Sequence, residues 1–173
     1  MEIIFRAISH SRDEIAMGHK IWFPESVESD VISATANSNG FTPLTAIARR
    51  YNWGRDLIEA ASNQCNSRGE IAVIREVRPT LLLVPSTNGK VETSFLINDL
   101  INAANQIKAD VLNFTHYGFM QNKLPIIEIK SILKLLLDPD LKSSIRVVVW
   151  DIDFRFRREM VDLWQSLRGA IPT

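Results

Sequence analysis

A single stretch of this chain combines a buried strand, a polar loop and a helix start. Residues 30–54 read DVISATANSNGFTPLTAIARRYNWG. Residues 31–36 are small or β-branched without polar alternation, which is typical of a strand covered on both faces. Thr42 then stands where a helix N-cap would, with Pro43 at the first helical position, which predicts a helix through about residue 51. A fully covered strand leading into a helix favours a layered α/β domain.

The alternation of strands and helices continues along the chain. Further strands are predicted at residues 3–8, 71–74, 81–84, 111–114 and 145–150. Further helices are predicted at 11–22, 55–61, 95–107, from Pro125 to about 136, and at 155–167, with polar turns at 63–69 and 88–89. We therefore expect a single α/β domain over residues 1–173, with a mixed, largely parallel sheet flanked by helices and residues 1–29 as a candidate N-terminal elaboration. The strands at 31–36, 111–114 and 145–150 are the most continuously apolar, and we expect them to be neighbours at the centre of the sheet.

The composition of the chain argues against a membrane-spanning protein and against a secreted one. The chain has 173 residues, 46% of them hydrophobic and 23% charged, which is near the average of a soluble globular domain. Lys and Arg total 20 and so do Asp and Glu, so no global field indicates a nucleic-acid or membrane partner, although a local patch is compatible with this balance. No apolar run approaches the roughly 20 residues that cross a bilayer. A single cysteine and an N-terminus without a secretory signal favour a cytoplasmic protein.

Two loops carry the candidate chemistry, because each follows a predicted strand and precedes a helix. They cover residues 37–43 and 115–125, the second reading THYGFMQNKLP. In open α/β sheets, ligands bind beyond the carboxyl ends of strands, where backbone amides and helix N-termini face the ligand. The sequence contains no P-loop, paired C-x-x-C, H-E-x-x-H or G-x-S-x-G motif, so no metal site and no cofactor are predicted.

These segments resemble the ligand loops of macro domains, which are ADP-ribose-binding modules. The family text corresponding to residues 30–54 is approximately D-A-I-V-N-A-A-N-S, a glycine-rich loop, and G-A-I-H-x-A-A-G. Residues 115–125 resemble the diphosphate loop S-T-G-x-Y-G-F-P. Between them, YNWGRDLIEAASNQ resembles the A-A-G-x-x-L-x-x-x-C helix, and GEIAVIREVRPTLLLVP resembles the hairpin that follows it. The resemblance spans residues 30–153 and implies the macro-domain fold.

The resemblance also implies a set of ligand-binding residues. Asn37 falls on the second Asn of the N-A-A-N signature, which contacts the distal ribose, while Ala34 replaces the first Asn. Gly118 falls on the first glycine of the diphosphate loop, and an aromatic at the end of the last strand packs on the adenine. The implied binding residues are Asn37, Asn39, Gly40, Thr42, Tyr117, Gly118, Phe119 and Trp150.

Several of the candidate residues also have a purely structural interpretation. Asn37 and Asn39 are equally suited to an Asx-type turn before the helix. Trp150, and Phe154 as the second aromatic candidate, fit a hydrophobic core. His116 is the loop residue with a suitable pKa for a base, but no nucleophile or carboxylate partner can be assigned to it. The basic run Arg155, Arg157 and Arg158 is compatible with a solvated helix face.

The sequence leads to two functional hypotheses. In the first, a divergent macro-like domain binds ADP-ribose or a related nucleotide. In the alternative, the protein is a non-catalytic protein or nucleic-acid interaction module, its pocket closed by Phe41, Leu44 and Tyr117. Loss of the first Asn and of most glycines favours binding over turnover. If the protein is an enzyme, an ADP-ribosyl hydrolase is the expected class, with its catalytic residues unknown.

Overall fold

The structure is a computed structural model that describes residues 2–7, 31–36, 43–86, 93–114, 130, 133–135, 145–151 and 154–169. The predicted helix at 11–22 and the predicted turn at 88–89 lie outside these residues. Of the helix predicted to begin at Pro125, only residues 130 and 133–135 are described, and they are helical.

The described strands form one sheet. They are β1 (Glu2–Ala7), β2 (Val31–Thr35), β3 (Ala72–Ile74), β4 (Thr80–Val84), β5 (Val111–Phe114) and β6 (Arg146–Asp151). Their order across the sheet is β1-β6-β5-β2-β4-β3. All neighbours pair in parallel except β3, which pairs antiparallel with β4. The predicted mixed, largely parallel sheet is confirmed, and so is the prediction that β2, β5 and β6 are neighbours inside it.

Four helices whose bounds lie within the described residues flank this sheet. They are α1 (Pro43–Arg50), α2 (Arg55–Arg68), α3 (Thr93–Gln106) and α4 (Phe154–Gly169). No described helix has the length and apolar character that crossing a membrane requires.

The two faces of the sheet bury separate apolar clusters. In β4, Leu82 and Val84 belong to the cluster shared with α3 and α4, whereas Leu81 and Leu83 belong to the cluster shared with α1 and α2. Successive side chains of a strand point to opposite faces. An unbroken apolar run such as that of β4 is therefore what a strand needs when helices cover both of its faces. The two helical layers are called the α1/α2 layer and the α3/α4 layer below.

The prediction of a polar turn at residues 63–69 is wrong, because α2 continues to Arg68. Its buried residues are Ile58, Ser62 and Cys65, which recur at helical spacing on one face. Packing of this face against the sheet outweighs the turn preference of the intervening Asn and Ser residues. The helix ends at Gly69, whose φ of 67° is left-handed and suits glycine.

Cys65 lies in the interior of the α1/α2 layer, with 1% of its surface exposed. Its Sγ lies 3.2 Å from the carbonyl oxygen of Glu70 and 3.4 Å from that of Leu83. Burial is the main cause that raises the pKa of the Cys65 thiol from 9.0 to about 11. Because the thiolate is the reactive form, this cysteine is a structural residue in the folded protein.

Two measurements test this assignment. At pH 8 we expect the folded protein to react with a thiol reagent about 100-fold more slowly than the urea-unfolded chain, or slower still, since each pKa unit changes the thiolate fraction about tenfold. The raised pKa stabilises the fold fully below pH 9, and this contribution declines as pH rises toward 11. In Cys65→Ala, the melting temperature should not show this decline between pH 9 and pH 11. Equal labelling rates in the folded and unfolded states would contradict the burial.

Candidate functional site

The candidate site begins with two strands that end at the same edge of the sheet. β2 and β5 are adjacent and parallel, with Ile32 opposite Asn113 and Ser33 opposite Phe114. The loops predicted to bind a ligand follow these strands in the sequence. The described ends of β2 and β5 therefore direct both loops away from one edge, called the carboxyl edge below.

After β2 and after β5, the chain has its next described helical residues on opposite faces of the sheet. After β2 it enters α1, whose Leu44 and Ile47 are buried in the α1/α2 layer. After β5 it reaches the helical residue Leu133, which is buried in the α3/α4 layer. Two neighbouring parallel strands whose connections diverge in this way leave a crevice between their carboxyl ends, the usual ligand position in open α/β sheets.

Hydrogen bonds hold the backbone on the β2 and β4 side of the crevice. The Ala36 N–H donates to the Val84 carbonyl at 2.7 Å, which extends the β2–β4 pairing one residue beyond β2. The Ser86 N–H donates to Oδ1 of Asn66 at 2.7 Å, which ties the end of α2 to the chain leaving β4. Asn66 was missed as a site-supporting residue because its segment was predicted to be a turn. The spacing of Ile58, Ser62 and Cys65 is the sequence signal that indicates the helix.

Buried polar groups tie β2 to β5 below the crevice. Nδ2 of Asn113, which is fully buried, donates to the Val31 carbonyl at 3.1 Å. The Ser33 hydroxyl donates to the Asn113 carbonyl at 3.4 Å, a longer and weaker contact. A buried amide without such a partner would cost free energy, so these bonds favour the observed pairing of the two strands.

The helices that follow the parallel strands bring N-termini toward the carboxyl edge. α1 follows β2 and has no acidic residue in its first turn, whereas α4 follows β6 and is directly preceded in the sequence by Asp151 and Asp153. Unpaired N–H groups and the helix dipole give such termini a positive potential. The N-terminus of α1 is therefore suited to an anion, because no carboxylate of its first turn opposes that potential.

The structure leaves most of the predicted binding residues undescribed. Those outside the described residues are Asn37, Asn39, Gly40, Thr42, Tyr117, Gly118 and Phe119, together with His116. The backbone of Trp150 lies in β6 opposite Arg6, and Phe154 is the first residue of α4. The roles assigned to these residues by resemblance therefore stay predictions.

Ala34, which replaces the first Asn of the family signature, is described. It lies in β2 opposite Leu83, with 1% of its surface exposed, and it belongs to the apolar cluster of the α1/α2 layer. This position contributes a small apolar side chain to the core. Among the described residues, no group of three or more His, Cys, Asp and Glu side chains is placed to hold a metal ion.

Comparisons with known proteins find similarity in structure alone. No protein-family model matches the sequence, and no curated protein matches it. The Oceanobacillus iheyensis macrodomain solved with ADP is 15% identical, with a TM-score of 0.65 over 85% of this chain and 88% of that one. Two mutants of that macrodomain are each 16% identical, with TM-scores of 0.64 and 0.60 over 85% and 83% of this chain and 89% and 85% of theirs. The chain has the macrodomain fold, as the sequence predicted.

Proposed function

We propose that this protein binds ADP-ribose or a related nucleotide in the crevice between the carboxyl ends of β2 and β5. The observation that carries the proposal is the divergence of the chain after these strands, to Leu44 on one face and to Leu133 on the other. A macrodomain of the same fold has been solved with ADP, which supports a nucleotide as the ligand class. The acid-free first turn of α1 supports an anionic ligand.

The resemblance supplies the individual contacts of the proposed site. Asn37 directly follows Ala36 and would hydrogen-bond the distal ribose. Gly118 would let backbone amides approach the diphosphate without obstruction by a Cβ atom. Trp150 would pack its ring against the adenine, as aromatic side chains commonly do with apolar ring systems.

We propose that the protein binds ADP-ribose but does not efficiently hydrolyse it from modified proteins. Hydrolysis needs a water held close to the distal ribose by preorganised groups, and a small misplacement costs about 100-fold in rate. Ala34 removes one amide of the signature and is enclosed in the apolar core. Neither loop contains a carboxylate that could act as a general base. Assay of ADP-ribose release from a mono-ADP-ribosylated protein should accordingly detect slow turnover or none.

A thermal-shift series tests the ligand class. The protein is heated with ADP-ribose, NAD, cyclic ADP-ribose, ADP or AMP. A ligand present at about 100 times its Kd adds about 2.7 kcal/mol to the folded state, so ADP-ribose should raise the melting temperature by several degrees. Absence of a shift with every nucleotide would contradict the proposal and favour the interaction-module alternative.

Variants in the two loops test the site. Asn37→Ala should weaken ADP-ribose binding about fivefold, because a net hydrogen bond contributes about 1 kcal/mol. Gly118→Val should weaken it further by blocking backbone approach to the phosphates. Asn63→Ala, an amide deletion at an exposed position of α2, is the matched control and should bind like the wild type. Calorimetry that finds the same affinity for all four proteins would place the ligand elsewhere.

A further inference from the structure

Arginines are concentrated at the end of the sheet opposite the crevice. Two turns meet there, one between α1 and α2 and the other between β3 and β4. Residues 49–56 and 75–78, called the arginine corner below, contain five arginines, no lysine and two carboxylates, Asp56 and Glu76. The chain as a whole has a formal net charge of +0, so this corner is a local excess of positive charge.

A tryptophan joins the two turns of the arginine corner. Nε1 of Trp53 donates a hydrogen bond of 2.8 Å to the carbonyl of Arg78. The Trp53 ring is buried and stacks on Tyr51, with centroids 5.7 Å apart and an interplanar angle of 25°. The bond and the buried ring keep the two turns in a defined relative position, which brings the two arginine-bearing segments together.

The four arginines of the corner whose side chains the structure describes are exposed to solvent. The side chains of Arg49, Arg55, Arg75 and Arg78 are all exposed. Nη1 of Arg78 donates to the carbonyls of Arg75 at 2.9 Å and Val77 at 3.0 Å, which restrains its guanidinium before any ligand arrives. A restrained guanidinium loses less conformational freedom when it binds, and its planar fork matches the oxygens of a phosphate.

We propose that the arginine corner binds the phosphodiester backbone of a nucleic acid. Basic residues that are all arginine favour phosphate oxygens over a purely diffuse attraction to acidic groups. The Trp53 ring is buried and stacks on Tyr51, so it is not placed to stack on a base, and the proposed contacts are to the backbone. This site is separate from the proposed nucleotide crevice, because the five-residue β4 places about 16 Å between the two edges.

Fluorescence anisotropy with a labelled single-stranded RNA of about 15 nucleotides, and with the matching DNA, tests the proposal. Four phosphate contacts on a single strand predict a slope of about −2.8 for log K against log salt, a loss of about 50-fold between 50 and 200 mM. Binding of either strand with this slope, and with the dependence on arginines given below, supports the proposal. No detectable binding at the lower salt concentration would overturn it.

The double variant Arg55→Gln/Arg75→Gln tests whether the nucleic acid binds at the arginine corner. It should halve the slope, so that the same salt change lowers affinity only about sevenfold. The matched control Lys134→Gln/Arg168→Gln removes the same charge from exposed positions, Arg168 being in the last turn of α4, and should retain the wild-type slope. The ADP-ribose shift should persist in both variants, which separates this test from that of the crevice.

Two outcomes would overturn the assignment. Equal loss of affinity in the control variant would show that only the overall charge matters. Poly-glutamate of matched charge is added as a competitor. If it displaces the oligonucleotide as effectively as unlabelled RNA does, the corner is a site for acidic protein segments instead.

Discussion

Leu82→Ala is expected to lower the free energy of unfolding by about 2–5 kcal/mol, the range typical of a buried Leu→Ala change. Leu82 lies in β4 and is fully buried in the cluster shared with α3. Truncation removes apolar contacts and leaves a cavity that the surrounding sheet and helix can only partly close. The loss is large in relation to the total stability of a domain, commonly about 5–15 kcal/mol. Urea denaturation followed by circular dichroism measures it.

Leu57→Ala is the matched control for this experiment. Leu57 lies in the first turn of α2 with 37% of its surface exposed. The same chemical change there should alter the free energy of unfolding by about 0.5 kcal/mol or less, as surface substitutions usually do. Similar losses for both leucines would contradict the assignment of β4 to the centre of a two-faced core.

Ala34→Asn is expected to destabilise the protein by about 2–6 kcal/mol, although it introduces the residue that the macro-domain signature has at this position. An amide in the tightly packed α1/α2 cluster would add volume, which typically costs about 1–3 kcal/mol. It would also bury polar atoms for which the apolar cluster provides few partners, at a further cost of about 1–3 kcal/mol. Thermal and urea denaturation should both show the loss.

Ala34→Val separates the two contributions to this effect. Valine adds bulk without a polar group, so it should be less destabilising than Asn at the same position. Ala34→Asn should also fail to confer ADP-ribosyl hydrolase activity, since one restored amide does not rebuild the glycine-rich loop. An Asn variant as stable as the wild type, with gained turnover, would show that the β2 strand retains a working catalytic frame.

The local sequence predicted most of the secondary structure because burial on two faces leaves an unbroken apolar run. β2, β4, β5 and β6 all have this pattern, and all four lie inside the sheet, between the edge strands β1 and β3. The prediction of a turn at residues 63–69 was wrong because the local sequence favours a structure other than the one that tertiary packing stabilises. In that segment Asn and Ser have a local preference for turns, and burial of Ser62 and Cys65 in the folded domain favours the helix.

The candidate site was predictable only in its outline. That two loops follow buried strands is visible in the sequence, and their meeting at one edge follows if those strands are parallel. The hydrogen bond from Ser86 to Asn66 joins residues 20 positions apart, and no local pattern indicates it. The same holds for the bond from Trp53 to Arg78, which brings the two arginine-bearing turns together across 25 positions.

The sequence by itself determined which segments are strands, that helices cover them on both faces, and that polar loops follow β2 and β5. These properties depend on the apolar character of consecutive residues, which is local information. Only the tertiary structure decided the strand order, the divergence of the chain to Leu44 and Leu133, and the joining of the two arginine turns. These depend on contacts between distant segments, whose favourable energies are realised only when the whole sheet has formed.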